Sequence, residues 1–330
     1  MNVLSQLLLK NYFVINLGVK FEIYYYALCI AGGMIACAIL AVPLFKRRGF
    51  PGDYILDVMI AVIPFSIVFA RLWYVLLDLK EFDSFLEAID IRNGGMAIHG
   101  GILGGAIGIL LVSKIRKRSV TKLLDIGACL LPLGQAIGRW GNFFNQEVYG
   151  KPTEITTKFI SVYIEKTGQY HYALCFYEMA LDFILFALLF YFMWNYKGKR
   201  DLYPTGAYLL GYGIIRGALE PLRMEEFQMG NFGIPTSVIT SILLIICGIA
   251  ILAFNVVKDV KENNLWWKTF FKKQEAVKSA DTSIAVATET DACVGKTNHG
   301  ENSIADESLS VDETVKNESA ESVSDDADTQ

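Results

Sequence analysis

Four basic clusters punctuate this chain, and the sides of a membrane on which they can lie decide how often the chain crosses it. Apolar runs lie between them at roughly 23–45, 54–77, 96–113, 121–138, 173–196, 204–219 and 235–257. Each is close to the ~20 residues a helix needs to span hydrocarbon. With 53% of its residues apolar, the chain reads as an integral membrane protein and not as a soluble enzyme. The weakest run is 121–138, which Asp125, Pro132 and Gln135 interrupt.

Parity rescues that run. The clusters are Lys46-Arg47-Arg48, Lys114-Ile115-Arg116-Lys117-Arg118, Lys197-Gly198-Lys199-Arg200, and Lys268 with Lys272-Lys273. Lys and Arg collect on the cytoplasmic side of membrane proteins, and the second and third clusters share a side only if an even number of spans separates them. The run 173–196 is clear, so 121–138 must be the other. The expected architecture is all-α: a polytopic bundle of seven transmembrane helices, N-terminus outside and C-terminus inside. The acidic loop 78–93 and the connection 139–172 then fall on the outer face. The first run is too long for a signal peptide and lacks a small-residue cleavage site, so it reads as a retained helix.

A membrane domain over 1–258 is expected, followed by a cytoplasmic segment over 259–330. From Glu275 onward there are fourteen acidic residues against three lysines, and almost no aromatics. Such a stretch cannot bury enough apolar surface to order itself. The net charge of −4 therefore belongs to the tail, and the membrane portion is basic. The six cysteines are scattered, with neither C-x-x-C spacing nor a histidine partner. Zinc and iron–sulfur chemistry are not expected, and no other metal or cofactor is called for.

Chemistry gathers at three places. The first is Gly138-Arg139-Trp140-Gly141-Asn142-Phe143-Phe144-Asn145-Gln146-Glu147, where an apolar run ends. Ionisable and amide groups at membrane depth are costly, and they mark functional sites by default. The second is His99, which opens a span behind Asn93-Gly94-Gly95 and ahead of glycines at 100, 104 and 108. Those glycines let another helix approach closely, so His99 is either a polar group bonded across that contact or a titratable base. The third is the stripe Tyr212, Arg216, Glu220, at i, i+4 and i+8, with Arg223 just beyond. An Arg216–Glu220 ion pair is the plainer reading. One carboxylate, however, does not neutralise two arginines, and Arg139 adds a third on the same side. Surplus guanidinium suits an anion, and in a membrane that anion is a lipid phosphate. Asp57 and Arg71 read as structural, and an interfacial aromatic belt accounts for at least two of Tyr24, Tyr25 and Tyr26.

Together these segments resemble the bacterial prolipoprotein diacylglyceryl transferase family. The resemblance rests on Gly138-Arg139-x-Gly141-Asn142-Phe143-x-Asn145-x-Glu147-x-x-Gly150, on His99-Gly100-Gly101, on Tyr26-Ala27-Leu28 and on Tyr212…Arg216…Glu220…Arg223, in that family's order, over about residues 20–255. It implies an enzyme of the bacterial plasma membrane with its site toward the outer face. Such an enzyme moves the diacylglyceryl group of phosphatidylglycerol to the cysteine thiol in a lipoprotein precursor's signal peptide, and glycerol phosphate leaves. Nucleic acid has no part in it. The resemblance also implies the site. Arg139 and Arg216 would be essential, His99 and Tyr26 catalytic, and Asn142, Asn145, Glu147, Tyr212, Glu220 and Arg223 would bind the lipid. Three departures stand out: Gln146 where glycine is usual, His171-Tyr172-Ala173-Leu174-Cys175-Phe176 before Tyr177-Glu178 in place of a proline-containing run, and Thr236-Ser237 in place of a common glutamine.

Two other classes fit parts of the pattern. A lipid or organic-anion transporter also uses intramembrane arginines and glycine faces, but no internal repeat is evident. A metal-dependent headgroup transferase would want aspartates clustered at cytoplasmic helix ends, and they are missing. Thr156–Lys166 is left as either a small hairpin or a flexible arm.

Overall fold

The computed structural model describes residues 12–16, 20–77, 79, 82, 84–90, 95–196, 198–224, 228–229, 234–263 and 266–267. The expected acidic tail lies outside these residues. The fold is mostly helical. A β-ribbon, β1 (Tyr12–Asn16) against β2 (Lys20–Tyr24), leads into α1 (Tyr25–Arg47). Then come α2 (Tyr54–Leu77), the short α3 (Phe85–Ile89), α4 (Ile98–Ile115) and α5 (Val120–Phe144). A second antiparallel ribbon, β3 (Ser161–Ile164) with β4 (Gln169–Tyr172), precedes α6 (Leu174–Asn195) and α7 (Tyr203–Leu219). The short strands β5 (Gln228–Met229) and β6 (Ile234–Pro235) lead to α8 (Thr236–Lys261).

Six helices, α1, α2, α4, α5, α6 and α8, are long and apolar enough to cross a membrane. The weak run 121–138 is one of them. The run at 204–219 is also helical, but α7 has 17 residues and is about 25 Å long, short of the ~30 Å hydrocarbon layer. The purely helical expectation is amended by three antiparallel two-stranded ribbons. The domain boundary expected at 258 falls inside α8, which continues to Lys261.

Two packing features position the site. Gly100, Gly104 and Gly108 lie on the α2 face of α4, and a Cβ on Gly100 or Gly104 would collide with the main chain of Phe69 or Phe65. Backbone approach this close is open only to glycine at these two positions. The principal apolar core joins Leu44, Phe45, Tyr54, Val112, Ile126, Cys129, Leu189 and Met193, near the α1–α2 and α4–α5 turns. It therefore ties five helices at one end of the bundle. At the other end a smaller cluster, Ala173, Cys175 and Phe176 with Phe143 and Val162, fixes the β3–β4 ribbon to the meeting point of α5 and α6. Large apolar side chains such as Ile35, Ile39, Ile60 and Leu72 remain exposed, as on a surface made for lipid.

Candidate active site

The polar decapeptide continues its helix through Phe144 before the chain turns. α5 runs on to Phe144 with Asn145 as C-cap, so Arg139 projects from regular helix and not from a loop. Two helical features explain this. Asn145 N–H reaches Gly141 O at 3.0 Å and Glu147 N–H reaches Asn142 O at 2.9 Å, so the last carbonyls are satisfied locally. Asn142, Asn145 and Glu147 find their partners locally, while Arg139 is drawn into a set of charged partners across the bundle.

Those partners centre on Glu178, in the first turns of α6. Its carboxylate pairs with Arg139 of α5, with Arg216 of α7 at 2.8 Å and with Arg223, beyond the α7 end, at 3.1 Å. Three guanidiniums from three separate elements thus share one carboxylate. Glu178 is 2% exposed while the arginines are 18, 18 and 19% exposed, so the carboxylate forms the back of the cluster and the guanidinium edges form its open side. Nε of Arg139 and Nε of Arg223 are buried with no hydrogen-bond partner among the described residues, so these guanidiniums have donor capacity that Glu178 does not use. Burial, and after it the like charge of Arg216, lowers the Arg223 pKa from its usual value, yet a guanidinium keeps its proton.

The expected Arg216–Glu220 ion pair is not formed among the described residues. Arg216 turns to Glu178, and Glu220 instead accepts the Ser237 hydroxyl of α8. Glu220 opens a 3-10 turn, Glu220–Leu222, which leaves the helical stripe on which the pairing was read. Asn142 accepts a long bond from Arg139 at 3.4 Å, and Asn145 donates to Glu147 at 3.5 Å. Tyr212, one turn before Arg216, stacks on Tyr208 at 5.7 Å between centroids. Tyr26 covers Gly141, where a Cβ would come within 2.5 Å of its ring, so Tyr26 stands beside the turn that carries Arg139.

His99 stands apart. It is exposed in the first turn of α4, and no hydrogen bond or ion pair joins it to the arginine cluster among the described residues. Its helix packs on α2, while the arginines stand on α5 and around α7. The α2–α4 pair is braced at this end by Arg71, which donates to the carbonyls of Ala88, Glu87 and Gly95 at 2.8, 3.0 and 2.9 Å. Asp57, at the other end of α2, pairs with Arg116 at 2.5 Å. Both keep the structural roles expected of them, with partners other than each other.

Sequence reasoning passed over Glu178 and Asp182. They are the two acidic residues of α6, one helical turn apart. Asp182 is fully buried, and neither of its oxygens has a hydrogen-bond partner among the described residues. A signal did exist: two carboxylates at i, i+4 in an otherwise apolar span require cations nearby, and the surplus arginines had been counted.

Comparison with known proteins decides the family. The model of the prolipoprotein diacylglyceryl transferase family matches residues 13–254. Relatives named phosphatidylglycerol–prolipoprotein diacylglyceryl transferase are 37% identical in Finegoldia magna (69% of this chain, 89% of the relative), 34% in Clostridium perfringens (74% and 94%) and 35% in Halalkalibacterium halodurans (68% and 80%). This chain belongs to the prolipoprotein diacylglyceryl transferase family.

As a member of that family, the chain makes its three departures legible. Gln146 has φ +52°, the left-handed region that glycine enters without cost. Its side chain offers compensation, since Oε1 accepts the Glu165 N–H of the ribbon at 3.0 Å. Ala173, in the stretch where proline is usual, donates its N–H to Ile160 O at 3.0 Å, a bond proline cannot make. Ser237 supplies the hydroxyl that holds Glu220. The open stretch Thr156–Lys166 contributes one strand of the β3–β4 ribbon, closed over buried His171, whose ring nitrogens meet Gly150 O and the Thr167 hydroxyl at 2.8 Å each.

Proposed function

We propose that this chain transfers the diacylglyceryl group of phosphatidylglycerol to the lipobox cysteine thiol of lipoprotein precursors, with release of glycerol phosphate. The observation that carries the reading is the meeting of Arg139, Arg216 and Arg223 on Glu178, inside the stretch that matches the family. The chain crosses the bacterial plasma membrane seven times, α7 included, with the N-terminus out and the C-terminus in. The arginine cluster lies toward the outer face and opens sideways to lipid. Placing all four basic clusters in the cytoplasm supports that orientation.

The reaction displaces a phosphate ester from carbon. The carbon–oxygen bond of the lipid glycerol breaks, the cysteine sulfur bonds to that carbon, and the electron pair leaves on glycerol phosphate. Negative charge grows on the phosphate as the bond opens, so the open guanidinium edges of Arg139 and Arg216 gain most in the transition state. The thiolate is the attacking form, and a free thiol supplies little of it at neutral pH. Local positive charge favours it. His99, exposed and with no hydrogen bond or ion pair among the described residues, is our candidate for the base that takes the thiol proton. Asn142, Asn145 and Glu147 line the rim beside Arg139 and orient the headgroup glycerol, and Tyr26 shapes the adjoining wall. Tyr212 and Glu220 steady the Arg216 side.

The test combines membranes containing the full chain, radiolabelled phosphatidylglycerol and a cysteine-bearing lipobox peptide. Covalent lipid on the peptide thiol, with stoichiometric glycerol phosphate, is the expected result. Lipid crossing the bilayer with no thioether product would make the chain a transporter.

A further inference from the structure

We infer that Glu178, to which the transferase reading assigns no role of its own, is the positioning residue of the site. It gathers three guanidiniums from three elements onto one buried carboxylate, so that their open edges face the place where the lipid phosphate gains charge.

The argument starts from repulsion. Arg139, Arg216 and Arg223 stand on different segments, and without an intervening anion three guanidiniums in a low-dielectric setting push one another apart. Each long side chain also has free rotamers in which to do so. Glu178 removes both problems at once. Its two oxygens engage all three arginines while it is almost fully covered. Helix α6 holds the carboxylate rigidly: Cys175 and Phe176 lie in the apolar cluster one turn earlier. Phe176 in turn packs edge-on against Trp140, the neighbour of Arg139, at 5.6 Å. The Arg223 side is pinned separately, since Lys151 N–H bonds to Leu222 O at 2.8 Å and Gly150 bridges to Arg223. A fixed carboxylate and fixed helix ends leave the guanidiniums little freedom, so they arrive already aimed. Preorganised donors of this kind act in the transition state more than in the ground state. Glu178 itself does not touch the lipid. It acts through the arginines.

This inference rests on the transferase reading, and its test is built to fail separately. Full-length protein in detergent–lipid micelles is compared as wild type, Glu178→Gln and Glu178→Asp. For each, the readouts are kcat, the KM for phosphatidylglycerol, and the inhibition constant of glycerol phosphate, the fully charged leaving group. An inhibition constant does not depend on what fraction of the preparation is folded, so a merely structural role leaves it unmoved. Glu178→Gln is expected to lower kcat by about 100-fold, with the lipid KM within about 3-fold. It should also weaken glycerol phosphate inhibition by about 10-fold. Glu178→Asp, which keeps the charge on a shorter stem, is expected to fall between the two on every readout. An unchanged inhibition constant in Glu178→Gln, an Asp variant as damaged as Gln, or the failure of both variants to accumulate in membranes would each overturn the inference. Absence of thioether product with wild-type protein would instead overturn the transferase reading.

Discussion

The two ends of this helical bundle handle charge in opposite ways. At the end carrying the 196–203 turn, every carboxylate of the inter-helix network is matched to its donors. Asp125 accepts the Leu202 N–H at 2.8 Å, the Thr205 N–H at 3.2 Å and the Thr205 hydroxyl at 2.7 Å. Asp259 accepts from Arg200 at 2.6 Å and from the Tyr203 hydroxyl at 2.8 Å. These bonds lock α5, α7 and α8 together, and both carboxylates are fully buried. At the opposite end three arginines share the Glu178 carboxylate, and among the described residues Nε of Arg139, Nε of Arg223 and both oxygens of buried Asp182 have no hydrogen-bond partner, while the guanidinium edges stay open. The balanced network is architecture. The unbalanced one has capacity left for something from outside the chain.

If that contrast is right, substitutions at the two ends should fail differently. Arg139→Gln and Arg216→Gln, measured as thioether formed per inserted protein, should lose at least about 100- to 1,000-fold in kcat/KM with insertion and thermal stability near wild type. His99→Gln should lower kcat by about 100-fold if His99 is the base, and near-normal turnover would remove it from the mechanism. Asp125→Ala, which strands three donors, should instead lower stability by about 3 kcal/mol, read as a drop in the thermal inactivation midpoint, while the lipid KM stays constant. Gly104→Leu, on the α4 face packed against Phe65, should destabilise by about 1–3 kcal/mol through overpacking. It would sharpen the comparison by showing that the α2–α4 pair is structural as well. The smallest effect is expected from a chain truncated after Lys273, which should insert and turn over as the full chain does. Loss of transferase activity in a normally inserted truncation would give the acidic tail a role it is not assigned here.

The helices were legible in the sequence because length, apolarity and the parity of basic clusters report them almost directly. The run 121–138 shows how far parity reaches: its polar interruptions argued against a span, yet α5 is 25 residues long. Asp125 and Gln135, which made the run look weak, are the side chains that bond to α7, at Thr205 and Tyr208. The polar decapeptide was legible as a site but not as helix. Arg139, which reads as part of a helix end, is satisfied instead by Glu178 on the next helix, a partner that no local spacing announces. The Arg216–Glu220 reading failed for a related reason. An i, i+4 rule presumes continuous helix, and the 3-10 turn at Glu220 breaks it. Glu178 was hidden because a single carboxylate at the start of an apolar span has no local pattern, and its meaning lies in three arginines contributed by other segments. The ribbon at β3–β4 was too short for its strand signal to decide between hairpin and arm.

The central claim is that the guanidiniums hold a lipid phosphate. Solid-state NMR on arginine-15N-labelled full-length protein in phosphatidylglycerol bilayers measures it directly, through dipolar contact between guanidinium nitrogen and lipid phosphorus. The account predicts an immobilised 31P signal in contact with guanidinium nitrogen in the wild type, abolished in the Arg139→Gln/Arg216→Gln double variant. Identical 31P–15N contacts in the two proteins would contradict it.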